Sequence, residues 1–135
     1  MKMNNYINDF TNHLKEAIEI GNSATLKKIE KKITSVLICG LGGSGIGGTI
    51  IQDIISKNSQ VPILTIKDYS VPNFVNGETL VIASSYSGNT EETLSALEKC
   101  IAKGAEIAII TSGGKLKDIT EKNKFNSIII PPGHP

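Results

Sequence analysis

Cysteine is nearly absent: Cys39 and Cys100 are the only two in 135 residues, and they stand in neither a CxxC nor a metal-ligand spacing. No disulfide framework can be read from such a chain. Two reduced thiols acting as small hydrophobes in a reducing compartment are expected instead. A charge excess is absent too, since 14 basic and 13 acidic residues leave a formal net charge of +1. Such a balance offers no field to attract nucleic acid or an anionic membrane, and neither is expected as a partner. Lys27, Lys28, Lys31 and Lys32 do cluster, but Glu30 interrupts them and their spacing suits the wet side of a helix. No apolar run reaches membrane-spanning length and residues 1–20 lack the core of a secretory signal, so a cytoplasmic location is expected. Solenoid-length repeats and low-complexity tracts are also missing. No Ser/His/Asp set, catalytic carboxylate pair or metal cluster can be assembled, and neither a metal nor a cofactor is expected. His13 reads as a solvent-facing helix residue, and His134 has no visible partner.

What is present is enough for one core, with 39% hydrophobic side chains. Met3, Ile7, Phe10, Leu14 and Ala17 recur at spacings of four and three, predicting a helix that ends near Gly21. Residues 22–32 read as a second, more polar helical piece that carries Ala24, Leu26 and Ile29 inward. From Ser35 the period changes. Val36 to Cys39 is a short continuous apolar run stopped by glycine, as in a strand buried on both faces of a parallel sheet. Helices are then predicted at 45–57, 91–103 and 116–123, and strands at 61–66, 80–83, 106–110 and 127–130. The helix at 45–57 is expected to carry Ile46, Ile50, Ile51, Ile54 and Ile55 as its apolar residues. The stretch 67–79 reads as a surface excursion. Alternation of this kind predicts a doubly wound five-stranded parallel sheet with helices on both faces and an N-terminal helical extension. The closing Pro131-Pro132-Gly133-His134-Pro135 reads as the start of a linker, which predicts a longer parent protein.

Two turns dominate. Gly40-Leu41-Gly42-Gly43-Ser44-Gly45 and Ser84-Ser85-Tyr86-Ser87-Gly88-Asn89-Thr90 each separate a strand-like run from a helix-like run. The first turn of a helix presents unpaired N–H groups and the positive end of its dipole, so both turns are suited to an anion. The first turn also matches GxGxxG, the dinucleotide fingerprint, with Asp68 as a ribose ligand, although Asp68 lies too far along for the usual spacing. Glycines that simply permit a tight turn are the plainer reading. No Gly-Lys-Ser/Thr follows, which excludes an ATP-binding P-loop. In the second turn Asn89 and Glu92 have a capping-box spacing, yet the hydroxyls of Ser84, Ser85, Ser87 and Thr90 exceed what a cap requires. An anion site is favoured there. Both turns leave carboxyl ends of strands expected to be neighbours at the topological switch point, where ligands bind in such sheets. Thr111-Ser112-Gly113-Gly114 reads as a plain turn at the same edge. Glu91 and Glu92 are assigned to stabilising the helix dipole, and Tyr86 is open between closing over a ligand and packing outward.

At these residues the chain resembles the sugar isomerase (SIS) domain, and more closely the N-terminal half of bifunctional phosphoglucose/phosphomannose isomerases. The matching segments are Gly40 through Gly48, Ser84 through Thr93, Thr111 through Gly114, and Pro131-Pro132-Gly133. The resemblance implies that Ser44, Ser85, Ser87 and Thr90 hold a sugar 6-phosphate, with Gly42 and Gly43 in backbone contact with the sugar. It further implies the flavodoxin-like fold and an aldose-ketose isomerisation of glucose 6-phosphate and mannose 6-phosphate with fructose 6-phosphate through an enediol. That reaction belongs to glycolysis and gluconeogenesis. The family's glutamate base, ring-opening histidine and arginine fall outside these residues, so no catalytic residue is assigned here. Residues 1–33 are accordingly an N-terminal helical segment, 34–131 the sugar-phosphate domain, and 132–135 the start of a linker to a second SIS domain. That second domain, or a homodimer, is the expected macromolecular partner. A non-catalytic sugar-phosphate-sensing module remains the alternative.

Overall fold

The apolar runs become strands and the glycines end them. The computed structural model describes residues 9–41 and 43–133. Helix α1 (Phe10–Ser23) precedes β1 (Ser35–Cys39), α2 (Gly43–Ile55), β2 (Ile63–Ile66), β3 (Thr79–Ser85), α3 (Glu91–Ala102), β4 (Glu106–Thr111), α4 (Gly114–Asn123) and β5 (Asn126–Ile129). Every strand and helix expected from Ser35 onward is present, with ends displaced by no more than two residues. The five strands are all parallel in the order β2-β1-β3-β4-β5, so the order reverses between β1 and β3.

Pleating sorts the side chains. Leu37, Val81 and Ile107 align across the sheet on one face, where α3 and α4 cover them with Ala96, Leu97, Cys100 and Leu116. That face is the dry core. Cys39 and Cys100 lie within it, both free thiols. The contact with Cys100 and the burial of Cys39 push the Cys39 thiol well above its ordinary value, so it stays protonated. The connection from β2 to β3 was expected to be a surface excursion, but it contributes Val75 to this core and packs Val71 beside it.

Ile38, Ile82 and Ala108 share the opposite face, and α2 covers it chiefly on the β2–β1 side, reaching β3. Here α2 departs from the expected pattern. Its buried positions are Gly45 and Gly48, and a Cβ on Gly48 would stand 2.8 Å from Ile38 Cγ2, so the helix rests on the sheet by its glycines. Gln52, from the same side, accepts the N–H of Thr65 at 3.0 Å. The isoleucines are consequently displaced outward, and Ile46, Ile50 and Ile54 are each more than half exposed.

The first expected helix is only partly described, with Met3 and Ile7 outside the described residues. Of its stripe, Leu14 is 51% exposed, so α1 does not bury that side on its own sheet. The second helical piece does not form. Residues 24–34 run as irregular chain, because the Asn126 side chain takes both backbone groups of Lys27, accepting its N–H at 2.7 Å and donating to its carbonyl at 3.1 Å. Leu26 is exposed as a result. α1 and this segment roof the β3–β5 side loosely, leaving apolar recesses of about 480 and 240 Å³.

Truncating fully buried Leu97 to alanine is expected to cost about 2–5 kcal/mol of stability, read as a lowered midpoint in urea unfolding with an unchanged slope.

Candidate functional site

β1 and β3 are paired, with Cys39 beside Ala83, so the two glycine- and hydroxyl-rich turns emerge next to each other at the reversal of strand order. Their adjacency was expected. The second turn is the better defined. Thr90 is the N-cap of α3 in extended conformation, and its hydroxyl does not cap its own helix. It meets Ser85 Oγ at 2.8 Å instead. Ser85 Oγ also accepts the Gly88 N–H at 3.2 Å, and Ser87 Oγ accepts the Asn89 N–H at 3.1 Å.

The inventory of hydrogens decides what is left over. The Ser85–Thr90 contact uses one of two hydroxyl hydrogens, and the Ser87 hydrogen has no acceptor among the described residues. Two O–H donors therefore stand free beside a helix end whose first amides lack a side-chain cap. On the other turn Ser44, half-buried in the first turn of α2, has no hydrogen-bond partner among the described residues. Gly43 begins α2; Gly42 lies outside the described residues. Ser84 separates from the set, because strand alternation turns it to the face opposite Ser85.

Asn89 does something the sequence did not suggest. The capping box for which Asn89 and Glu92 have the spacing is not formed, because the Asn89 Oδ1 reaches across to accept the Lys115 N–H of α4 at 2.9 Å. Around it the third turn clasps the second. Leu116 N donates to Gly88 O at 3.0 Å, Ser112 donates to Tyr86 O through its amide at 3.0 Å and through its hydroxyl, and Thr111 Oγ1 donates to Gly113 O at 3.0 Å. Thr111-Ser112-Gly113-Gly114 is thus a buttress. Gly88, at φ +75°, sits where a Cβ would fall 1.8 Å from Gly113 O, so only glycine fits.

The remaining candidates sort as follows. Tyr86 packs outward, donating from its hydroxyl to Pro131 O at 3.2 Å and lining the larger recess under α1. His13 pairs with Asp9 at 3.2 Å on α1. Asp68, the ribose ligand of the dinucleotide reading, spends Oδ1 on the Ser70 N–H at 2.8 Å. Slight desolvation and then the carboxylates of Glu91 and Glu92 push the Tyr69 phenol above its ordinary value. Among the described residues no group of three or more His, Cys, Asp or Glu could hold a metal, and no helix is long and apolar enough to cross a membrane.

No family model matches the chain. It is 48% identical over 120 residues to the bifunctional phosphoglucose/phosphomannose isomerase of Caldicellulosiruptor bescii, covering 89% of this chain and 35% of that protein. It is 37% identical over 105 residues to the D-glucosamine-6-phosphate 4-epimerase of Sulfolobus acidocaldarius, covering 77% of this chain and 33% of that one. The chain thus spans about a third of the length of the curated relatives it matches. Among solved structures, a Clostridium difficile 630 protein described as a phosphosugar isomerase superposes with a TM-score of 0.75 at 19% identity, over 88% of this chain and 36% of that one. That likeness shows the fold alone.

Gly88→Ala is expected to destabilise by about 2 kcal/mol or more, since it adds both a strained φ and a steric clash. Gly113→Ala should be tolerated, because its φ of 167° is ordinary extended backbone and open space surrounds its Cβ position. Paired thermal unfolding curves check the contrast.

Proposed function

We infer that this chain, a sugar isomerase (SIS) domain related to the bifunctional phosphoglucose/phosphomannose isomerases, holds the 6-phosphate of hexose phosphates as part of an aldose-ketose isomerase. The carrying observation is the α3 terminus, where Thr90 turns away from its own amides and Ser85, Thr90 and Ser87 retain two undirected O–H donors. A phosphate needs donors converging from backbone and side chains, and this corner offers both. Ser44, with Gly42 and Gly43, would complete the cradle from α2. The relatives' names support the ligand class: an isomerase of glucose and mannose phosphates and a 4-epimerase of an amino-sugar 6-phosphate differ in reaction yet share a phosphorylated hexose.

The reaction proposed is interconversion of glucose 6-phosphate, and mannose 6-phosphate, with fructose 6-phosphate through an enediol. It requires a base that moves a proton between C1 and C2 and a group that steadies the enediolate. Glu91 and Glu92 are read as stabilising the dipole of α3, and no base is assigned within the described residues. On this reading the base comes from a second SIS domain or a second copy of the chain, and the protein works in the cytoplasm in glycolysis and gluconeogenesis. The boundaries proposed for the domain itself are 34–131, with 1–33 as its N-terminal extension and 132–135 as linker. A sensing module would use the same cradle, but 48% identity to an isomerase favours the enzyme.

Isothermal titration is expected to show binding of fructose 6-phosphate and glucose 6-phosphate and none of free fructose, with Ser87→Ala weakening binding about tenfold. Affinity that ignores the substitution would remove the phosphate assignment.

The exposed isoleucines of α2 suit an interface between SIS domains. Replacing Ile50 and Ile54 together by aspartate should abolish any self-association seen by sedimentation velocity while leaving the far-ultraviolet circular dichroism unchanged.

A further inference from the structure

Lys67 is the first residue after β2, at the same edge of the sheet as the glycine turn. Its Cε lies 3.2 Å from the Cβ position of Gly45, so its stem runs along the first turn of α2 and its ammonium is one bond from that contact. Two residues later the Tyr69 phenol lies near enough to Glu91 and Glu92, in the first turn of α3, for their carboxylates to push it above its ordinary value. Residues 67–69 therefore cross from one phosphate-cradling turn to the other. Lys67 is exposed and has neither a hydrogen bond nor a carboxylate partner among the described residues. A lone cation at the positive end of a helix is electrostatically unfavourable by itself. An anion seated between the cation and the helix end makes both contributions attractive.

We propose that Lys67 is the ionic contact of the sugar-phosphate site, its ammonium pairing with phosphoryl oxygens that Ser44, Ser85, Ser87 and Thr90 hold by hydrogen bonds. The inference rests on the phosphate reading above. It adds a residue that the hydroxyl and glycine motifs do not contain and predicts how affinity responds to salt. Because the ammonium acts as a compact point charge on a flexible stem, another cation of similar reach should replace it and a neutral isostere should not.

The test is titration of the full chain with fructose 6-phosphate at low and at high sodium chloride. Lys67→Met retains the stem over Gly45 and removes the charge; about tenfold weaker binding at low salt is expected, with most of the salt dependence lost. Lys67→Arg should recover affinity to within about threefold of the original. Unchanged affinity and salt response in Lys67→Met, while Ser87→Ala binds weakly in the same assay, would overturn the role of Lys67 and leave the phosphate site standing. Equal losses in Lys67→Met and Lys67→Arg would also overturn it, since shape and not charge would then matter. If the original chain does not bind, or Ser87→Ala binds as well as it does, the phosphate reading fails and this inference fails with it. Lys67→Gln provides the same comparison should Lys67→Met not fold.

Discussion

The candidate site depends on a steric lock between two turns that are far apart in sequence. Gly88 occupies a left-handed conformation with no room for a Cβ, because the Gly113 carbonyl and the Thr111 hydroxyl fill that space. Gly114, also left-handed, is pressed in return against Ser87 O and Asn89 Oδ1. Each turn therefore fixes the other's path, and crossing hydrogen bonds from the Ser112 amide and hydroxyl, Lys115 N and Leu116 N hold the pair together. Hydroxyls displayed on such a rigid backbone keep their spacing without a ligand present. Less entropy is then lost when a ligand orders them, which is how a preorganised cradle gains affinity.

The sheet sets where that lock stands. A parallel sheet whose order reverses between β1 and β3 brings two helix N-termini to one crevice, and the β2 end brings Lys67 to the same edge. Packing on the two faces is unequal. One face is a conventional dry core around Leu37, Val81 and Leu97, while the other is closed by glycines of α2 and by a loosely applied α1. Glycine contacts allow α2 to approach β1 closely, which draws its N-terminus toward the crevice. The same choice pushes the isoleucines outward. A helix apolar on its outer side is characteristic of an element buried in a larger assembly.

Much of this was legible in the sequence, for identifiable reasons. Strands β1, β3 and β4 follow continuous apolar runs ended by turn residues, so period and punctuation agree there. The two glycine- and hydroxyl-rich turns of the candidate site announced themselves through their composition. Failures arose wherever a distant residue decided the local structure. Residues 22–32 looked helical, but the side chain of Asn126 captures Lys27 from 99 positions away. Asn89 had the spacing of a cap and instead bonds α4. Ser84 was grouped with Ser85 by adjacency, although a strand sends neighbours to opposite faces. Lys67 carried no signal beyond its position after an apolar run, because its significance comes from the turn it lies against.

If the cradle grips phosphate, the division of labour within the larger protein follows from energetics. A phosphate distant from the reacting carbons contributes binding energy that does not depend on which bond is made or broken, and that energy can be spent on orienting the reacting end of the sugar. One rigid grip can then serve proteins whose reactions differ. The relatives fit that expectation, since an isomerase and a 4-epimerase share this segment at 48% and 37% identity. The segment is therefore expected to hold its serine turn, its glycine lock and its buttress more tightly than any group that handles protons at the far end of the sugar. Reaction type would be decided by the other two-thirds of such proteins, and the stability and charge of the phosphate grip by residues described here.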